Sequence, residues 1–217
     1  MFWHSFRCKF VKMADFQIEK RIIKRGFKAI AGVDEAGRGA IFGPVVAAAV
    51  ILPPVLMGPG LSGWAEEIDD SKVISPPKRK RLAGAILANA VSVGVGSATN
   101  NEIDQKNIYW ASLSAMRRAV ENMPVAPDFI LVDGFKLNDV NYPQRKVVQG
   151  DRKSTSIAAA SIVAKVLRDE MMIHLDKVYE GYALSKNKGY GTKEHYRALK
   201  ETGPTLFHRL TFNLGYK

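Results

Sequence analysis

The sequence has only one cysteine, Cys8, in 217 residues. A single cysteine cannot form a disulfide within the chain or build a cysteine-rich zinc site. No uninterrupted apolar run reaches the roughly 18 residues that span a bilayer, which argues against an integral membrane protein. The first residues also lack the apolar core and small-residue cleavage site of a secretory signal. We therefore expect a cytoplasmic protein that does not insert into membranes.

Acidic residues are in deficit relative to basic ones. The chain has 32 Lys and Arg against 21 Asp and Glu, which gives a net charge of +11. A protein this basic often binds a polyanion such as nucleic acid, although a solvated basic surface is the alternative. Hydrophobic residues at 47% and charged residues at 24% are ordinary for a globular protein. The length fits one domain with its own core.

Basic residues are concentrated at the start of the chain. We interpret residues 1–28 as a basic N-terminal extension and residues 29–217 as the folded body. Met13 is an alternative start, and residues 16–27 are predicted to form a short basic helix or arm against the body. The basic residues of the extension are Arg7, Lys9, Lys12, Lys20, Arg21, Lys24, Arg25 and Lys28.

The body alternates strand-like and helix-like segments. Short apolar runs predict strands, and longer amphipathic or alanine-rich segments predict helices. Strands followed by helices and further strands indicate one α/β layered structure, although the strand order cannot be read from the pattern. The predicted strands are 29–33, 44–52, 91–98, 128–132 and 147–148, and the main predicted helices are 78–90, 101–122, 154–179 and 193–202.

Four acidic residues stand where an apolar strand is predicted to end. Asp34 and Glu35 follow the first strand, Asp133 follows the fourth and Asp151 follows the fifth. Carboxylates crowded at one edge of a sheet repel each other unless a cation neutralises them. Oxygen-rich sites suit Mg²⁺ or Mn²⁺, and two such ions can flank a phosphodiester during hydrolysis. The pattern therefore predicts a metal-dependent nuclease, which the basic charge also favours.

Each acid also has an ordinary structural interpretation. An Asp before a Gly is common in turns, which alone would explain Asp133. Asp151 lies three residues before Ser154 and would serve equally as part of a helix cap. The adjacent charges of Asp34 and Glu35 are harder to explain in this way, because they need a compensating partner. The residues alone leave both interpretations open.

The segment Gly37-Arg38-Gly39 follows the first acid pair. Two glycines let the backbone approach a ligand closely, and backbone amides there can donate to a phosphate or a sugar hydroxyl. Glycine pairs also serve many tight turns, so this signal is weak alone. It is not a dinucleotide-binding fingerprint, because the next glycine, Gly43, comes one position late.

Together these motifs resemble the type 2 ribonucleases H. The run GVDEAGRGAIFGPVVAAAV is similar to the opening motif of that family. The resemblance covers about residues 30–212 and leaves residues 1–27 outside it. Further segments resemble the family motifs in the same order, namely Asp70-Ser71-Lys72, Val132-Asp133-Gly134, Gly150-Asp151 with Lys153-Ser154, Ser156 to Val166, Gly189-Tyr190-Gly191-Thr192 with His195, and Gly203 with His208-Arg209.

The resemblance implies a ribonuclease H-like α/β fold for residues 29–217, with a mixed central sheet flanked by helices and a C-terminal helical segment. It implies an endonuclease that cleaves RNA in RNA–DNA hybrids and at single ribonucleotides embedded in duplex DNA. The implied role is ribonucleotide removal and primer processing, and the implied products carry 3′-hydroxyl and 5′-phosphate ends. The implied cofactor is Mg²⁺ or Mn²⁺, with two ions during catalysis, and the implied assembly is a monomer.

Site roles also come from the resemblance. The implied catalytic and metal-binding residues are Asp34, Glu35, Asp133 and Asp151. The implied substrate-binding residues are Gly37, Arg38, Gly39, Lys72 and Tyr190. The glycine loop would contact the ribose 2′-hydroxyl, the group that distinguishes RNA from DNA. Tyr190 would stack on the next sugar or base, with packing against the C-terminal helix as the alternative.

Several other polar residues have weaker interpretations. Lys153, Lys165, Ser154 and Ser156 would contact phosphate, or would be surface charges and helix caps. Asp169 is predicted to pair with Lys165 on one helix face. The remaining candidates, His195 and His208, are expected to support the fold rather than act as a general base.

Two alternatives remain beside the type 2 assignment. Type 3 ribonucleases H resemble this chain in fold and acids, but they usually lack the arginine between the glycines and carry a separate N-terminal domain. Arg38 and the short preceding segment favour type 2. A nucleic-acid-binding protein without catalysis is the second alternative, and the presence of all four acids argues against it.

Overall fold

A five-stranded mixed sheet forms the centre of the molecule in the computed structural model, which describes residues 14–58 and 63–215. The strand order is β3-β2-β1-β4-β5. The pairs β1–β2 and β2–β3 are antiparallel, whereas β1–β4 and β4–β5 are parallel. This architecture confirms the predicted α/β class. The strands are β1 Ile30–Ala36, β2 Val45–Ile51, β3 Ser92–Ala98, β4 Phe129–Asp133 and β5 Gln144–Val147.

Helices cover both faces of the sheet. One face packs on α3, and the other packs on α4 with α2 beside it. In the described part of the chain, no helix is both long enough and apolar enough to cross a membrane. The helices are α1 Gln17–Ile23, α2 Pro76–Asn89, α3 Asn100–Glu121, α4 Thr155–Asp176, α5 Leu184–Asn187 and α6 Lys193–Thr202.

The first strand is longer than its apolar run predicts. The prediction that β1 ends at Val33 is wrong, because pairing with β2 continues to Ala36 opposite Val46. Asp34 and Glu35 therefore lie inside a strand rather than after it. Backbone pairing does not depend on side-chain polarity, so the ladder continues through the charged pair. The consequence is that both carboxylates are fixed by the central sheet.

A glycine brings β1 into direct contact with α4. Gly32 faces the helix, and a Cβ atom placed there would lie 2.1 Å from the carbonyl carbon of Ser156. The facing residues of α4 are mainly alanines, which allow the helix to lie close against the sheet. Because consecutive strand residues alternate between faces, Asp34 lies on the same face as Gly32. The short strand-to-helix distance therefore positions Asp34 under α4.

The described part of the basic extension packs against the body through α1. Glu19 is fully buried, and its Oε1 accepts hydrogen bonds from Ser154 Oγ at 2.6 Å and from the Ser156 N–H at 3.0 Å. The Thr155 N–H donates to the Asp15 carbonyl at 3.2 Å. These contacts satisfy N–H groups of the first turn of α4, which have no partner within their own helix. Residues 1–13, including the alternative start Met13, lie outside the described residues.

We expect Glu19→Ala to lower the free energy of unfolding by about 2–4 kcal/mol, because it leaves buried donors of Ser154 and Ser156 without their acceptor. Glu19→Gln should cost far less, since its amide oxygen accepts the same bonds. Burial raises the pKa of Glu19, so a neutral side chain also avoids a buried charge. Urea unfolding at pH 7 measures both variants. Equal destabilisation by Ala and Gln would contradict this role.

The C-terminal helical segment is held by an aromatic cluster around Phe42. The His208 ring lies edge-on to Phe42 with centroids 4.9 Å apart, and the Phe207 ring stacks on it at 5.9 Å. His195 and His208 are buried and approach each other through Nε2 atoms 3.1 Å apart. Burial lowers the pKa of both, and that of His208 to about 4. The two histidines therefore form part of the core, consistent with a supporting role.

Candidate active site

Asp34 and Asp133 lie on two adjacent parallel strands, β1 and β4, near the carboxyl ends of both strands. The register pairs Val33 with Val132, so the two acids are the next residues along β1 and β4. Asp133 Oδ1 accepts the Gly150 N–H at 2.6 Å, and Asp34 Oδ1 accepts the Glu35 N–H at 2.8 Å. Burial raises the pKa of Asp34 well above its usual range, and the charges of Glu35 and Asp133 raise it further. The two strands thus hold mutually repelling carboxylates together.

Glu35 adds a third carboxylate, and its side chain is buried. Its Oε1 lies 3.5 Å from a guanidinium nitrogen of Arg38. Its Oε2 is buried and has no hydrogen-bond partner among the described residues. Burial raises the pKa of Glu35 to about 7, although the charge of Arg38 opposes the shift. A buried carboxylate oxygen without a hydrogen-bond donor is energetically costly. The unpartnered oxygen therefore makes Glu35 a candidate ligand for a cation.

Asp151 approaches the other acids from a short helical turn at Gly150–Arg152. Its Oδ2 lies 3.4 Å from Lys72 Nζ, and the Asp151 side chain is buried while that of Lys72 is 76% exposed. Burial alone would lower the pKa of Lys72, but Asp151 and Asp70 more than offset this effect and raise it. Asp151 does not cap α4, because Ser154 Oγ accepts the Ile157 N–H. Lys72 thus joins the candidate site as a cation held beside an acid.

The segment that carries Lys72 is fastened to two other elements. Asp70 is buried, and it accepts the Lys72 N–H at 2.9 Å and Arg152 Nε at 3.0 Å. Ser71 Oγ and Ser161 Oγ form a buried hydrogen bond of 2.9 Å between this segment and α4. The positions of Lys72 and Asp151 are therefore set by a network rather than by the two side chains alone.

The glycine loop is held in place by two buried arginines. Gly37 has φ of 93°, and a Cβ there would lie 1.9 Å from Arg168 Nε, so only glycine fits. Arg168 donates to the carbonyls of Phe42 and Pro44 at 3.0 and 3.1 Å. Arg209 Nη1 donates to the Arg38 carbonyl at 2.9 Å. The loop backbone is therefore rigid on its inner side and open on the side of the acids.

A cleft of about 490 Å³ brings three of the four acids together with the glycine loop, and Asp151 is not among its lining residues. Tyr190 forms one wall, with the Lys165 ammonium 5.6 Å and the Arg168 guanidinium 5.5 Å from its ring centroid. A Cβ on Gly39 would lie 4.0 Å from this ring, so the loop and the tyrosine face each other closely. The cleft is lined by Asp34, Glu35, Ala36, Gly37, Arg38, Gly39, Ser71, Lys72, Asp133, Ser161, Lys165 and Tyr190.

The donor chemistry of this cleft fits a hard divalent cation. Carboxylate oxygens are the preferred ligands of Mg²⁺ and Mn²⁺, and the unpartnered Glu35 Oε2 together with the crowded Asp34 and Asp133 leaves negative charge uncompensated. Across the described ranges, however, no three His, Cys, Asp or Glu side chains already form a metal-holding group. Arg38 and Lys72 instead contact Glu35 and Asp151. The residues therefore fit the ion in type and charge, but their side chains do not converge on a single coordination site in this structure.

The other predicted contacts fall outside the cleft, except Lys165. Lys153 Nζ donates to the Val148 carbonyl at 2.6 Å, and Ser154 caps α4. Lys165 pairs with Asp169 at 2.7 Å, which confirms the predicted pairing on α4.

Sequence reasoning missed the buried polar residues Glu19, Asp70, Arg168 and Arg209 as supports of the site. Arg168 lies within the predicted long helix, but Lys165, Asp169 and Glu170 stand close to it in the sequence, so its charge alone gave no signal that it is buried.

Comparison with known sequences identifies the family. The sequence profile described as Ribonuclease HII matches residues 31–214. A ribonuclease HII of Dehalococcoides mccartyi is 50% identical over 194 residues, which cover 89% of this chain and 90% of that protein. A ribonuclease HII of Geobacter metallireducens is 49% identical over 194 residues, which cover 89% and 88% of the two chains. The match extends over the sheet, the cleft and the C-terminal segment.

Solved structures share the fold. The ribonuclease H2 from Pyrococcus horikoshii superposes with a TM-score of 0.70 at 22% identity and covers 86% of this chain and 95% of its own. Ribonuclease HII in the PCNA complex from Archaeoglobus fulgidus gives 0.68 at 22% identity, with 88% and 98% covered. Bst-RNase HIII in complex with Mn²⁺ gives 0.65 at 22% identity, with 86% and 67% covered.

The family profile and the relatives near 50% identity extend over almost the whole body, and the solved structures agree with the mixed sheet described above. The resemblance found in the sequence is therefore confirmed. This chain belongs to the ribonuclease HII family, whose members are divalent-metal-dependent endonucleases that act on RNA–DNA hybrids.

Proposed function

We propose that this chain cleaves duplex DNA at a single embedded ribonucleotide as well as the RNA strand of longer hybrids. The proposed products carry 3′-hydroxyl and 5′-phosphate ends, and the proposed role is ribonucleotide removal and primer processing. The observation that carries the proposal is that the Gly37–Gly39 loop shares one cleft with three of the four acids, Asp34, Glu35 and Asp133. Such a loop can contact the 2′-hydroxyl of one ribose beside the reacting phosphate. Recognition of the substrate therefore does not require a run of ribonucleotides.

The four carboxylates have the proposed role of metal ligands. Asp34 and Asp133 are fixed by neighbouring strands, Glu35 presents an unpartnered oxygen, and Asp151 is held by Lys72. A bound Mg²⁺ or Mn²⁺ pair supplies an activated water and stabilises the leaving oxygen. The protein contributes by holding the acids and the substrate in a fixed relative orientation, which lowers the entropic cost of bringing the reacting groups together.

Recognition of the ribose is assigned to the loop and its facing wall. Backbone groups of Gly37, Arg38 and Gly39 lie within reach of a sugar in the cleft, and their carbonyls and amides can bond to a 2′-hydroxyl. Tyr190 faces Gly39 and offers a flat surface for the next sugar. Lys72 has the proposed role of contacting the scissile phosphate, and its exposure and its position beside Asp151 support that role. All these groups belong to one chain, so we propose that a monomer suffices.

The test is cleavage of three labelled duplexes, which are one DNA duplex with a single ribonucleotide, one long RNA–DNA hybrid and one all-DNA duplex. Each is incubated with Mg²⁺, with Mn²⁺ and with chelator. We expect metal-dependent cutting on the 5′ side of the single ribonucleotide and none of the all-DNA duplex. Cutting of the long hybrid alone would contradict single-ribonucleotide recognition. Tight binding without cutting would contradict the catalytic assignment of the acids.

A further inference from the structure

An exposed group of aromatic rings lies beside the cleft and takes no part in the chemistry described above. We call it the aromatic ledge, and it consists of Tyr109, Trp110 and Phe135. Tyr109 and Trp110 are 44% and 49% exposed. The Tyr109 ring contacts Trp110 edge-on at 5.0 Å between centroids and Phe135 at 5.5 Å. Large aromatic side chains that are about half exposed to solvent commonly mark binding surfaces.

The ledge is built by a break in helix α3. Asn107 has φ of 65° and ψ of 166°, and this non-helical conformation interrupts the helix seven residues after its start at Asn100. Its Oδ1 accepts the N–H groups of Tyr109 at 2.9 Å and Trp110 at 3.3 Å. Asn107 thereby acts as a cap for the continuing helix. Ile108 packs on the core, whereas the side chains of Tyr109 and Trp110 are exposed. The backbone of the two ring-bearing residues is therefore held by a non-glycine residue with positive φ.

A continuous series of contacts joins the ledge to the cleft. The Arg38 guanidinium lies 4.7 Å from the Phe135 ring centroid, and Arg38 lines the cleft and contacts Glu35. The path from Arg38 through Phe135 and Tyr109 to Trp110 corresponds to at most about five base-pair steps of 3.4 Å. A duplex seated over the acids would therefore reach the ledge within a few base pairs.

We propose that the aromatic ledge binds the substrate duplex outside the cleft, with its rings packed against the sugars of the backbone. The inference rests on the proposed function, since it places that substrate over the acids. Packing against sugars tolerates any base, because every nucleotide carries a sugar of the same kind. The ledge thus contributes affinity and orientation without sequence preference.

The ledge carries charges of both signs, so its continuity with the cleft, rather than its local charge, indicates the substrate duplex as its occupant. Lys136 is exposed next to Phe135, and Arg117 lines the same shallow depression as Trp110. The nearby carboxylates are Asp139, in that depression, and Glu121, which Arg117 Nη1 contacts at 3.0 Å. The chain as a whole carries a net charge of +11. The contact with the cleft and the positive charge of the whole chain therefore favour nucleic acid over a protein partner.

The test measures dissociation constants in chelator, so that binding is separated from cleavage. The probe is a DNA duplex with one ribonucleotide and about 12 base pairs on each side, long enough to pass the ledge. Two shorter duplexes keep about two base pairs on one side or the other and are closed there by a hairpin loop. The proteins compared are wild type, Trp110→Ala, Trp110→Phe and the control Val178→Ala, whose side chain is 70% exposed.

We expect Trp110→Ala to weaken binding to the long duplex about tenfold, the usual effect of losing one aromatic–nucleotide contact. Trp110→Phe and Val178→Ala should bind like wild type within about twofold. The loss should vanish on whichever shortened duplex no longer reaches the ledge. KM should rise while kcat stays unchanged. The slope of log Kd against log salt should also stay unchanged, because a neutral ring releases no counterions.

Two results would overturn the inference. One is that Trp110→Ala binds the long duplex like wild type. The other is that it loses the same affinity on the long duplex and on both shortened ones, which indicates a general structural defect. Failure of the proposed function is recognised separately, because wild type itself would then leave the single-ribonucleotide duplex uncut. In that case the same shortening series on an RNA–DNA hybrid still tests the ledge.

Discussion

Asp34→Asn should reduce the cleavage rate by at least about a thousandfold, which is the scale of losing one charged or polar group that acts on the reacting centre. The same change should stabilise the metal-free protein at pH 8. Burial and two neighbouring carboxylates raise the pKa of Asp34 well above its usual range. The folded state therefore binds the proton more tightly than the unfolded state, and its stability falls as pH rises from the unfolded pKa through the folded one. Asn carries no charge and escapes this cost.

Urea unfolding of wild type and Asp34→Asn, each with chelator at pH 4 and at pH 8, checks the stability half of this expectation. The variant should gain most at pH 8 and little at pH 4, where the carboxyl approaches its protonated form in both states. Cleavage of the single-ribonucleotide duplex checks the other half. An active variant would contradict the role of Asp34 in the chemistry. An inactive variant destabilised equally at both pH values would indicate misfolding.

Gly32→Ala should unfold the protein or lower its stability by more than about 4 kcal/mol. The added Cβ would lie 2.1 Å from the Ser156 carbonyl carbon and 2.3 Å from the Ile157 nitrogen. These are backbone atoms of α4, so no side-chain rotation relieves the clash. The strand and helix would have to separate, and Asp34 lies two residues further along the same strand.

Gly84→Ala supplies the matched control for this expectation. Gly84 lies on the exposed side of α2, and within the described part of the chain nothing comes within 4 Å of a Cβ there. Alanine should stabilise this helix by about 0.5–1 kcal/mol. Thermal or urea unfolding of both variants provides the comparison. A Gly32→Ala protein as stable as wild type would contradict the close packing of β1 on α4.

The sequence was sufficient to predict elements whose residues carry a local pattern. The apolar run at 44–52 corresponds to β2 at Val45–Ile51, and the helix predicted at 193–202 is α6 with the same bounds. The four acids could be selected because each neighbours an apolar run that ends at one edge of the sheet. Their grouping in one place depends on strand order, which the pattern did not contain. The resemblance supplied only the expectation that the four acids form one metal site.

Long-range polar contacts could not be predicted in the same way. Arg168 and Arg209 hold backbone carbonyls that lie 124 and 166 residues away in the chain, and a carbonyl leaves no trace in the sequence. Glu19 bonds to Ser154 across 135 residues. The break at Asn107 was missed because one asparagine in an amphipathic pattern does not reveal a positive φ. These contacts follow from tertiary packing rather than from local periodicity.

The measurement that tests the central claim most directly is Mn²⁺ binding to the free protein, followed through the electron paramagnetic resonance signal of unbound Mn²⁺. The account predicts that wild type binds the ion and that Asp34→Asn and Asp133→Asn each weaken binding at least about tenfold, as expected when a ligand is lost. The control Asp169→Asn, on α4 and paired with Lys165, should bind like wild type. Unchanged Mn²⁺ affinity in Asp34→Asn and Asp133→Asn would contradict the assignment of the acids as the metal site.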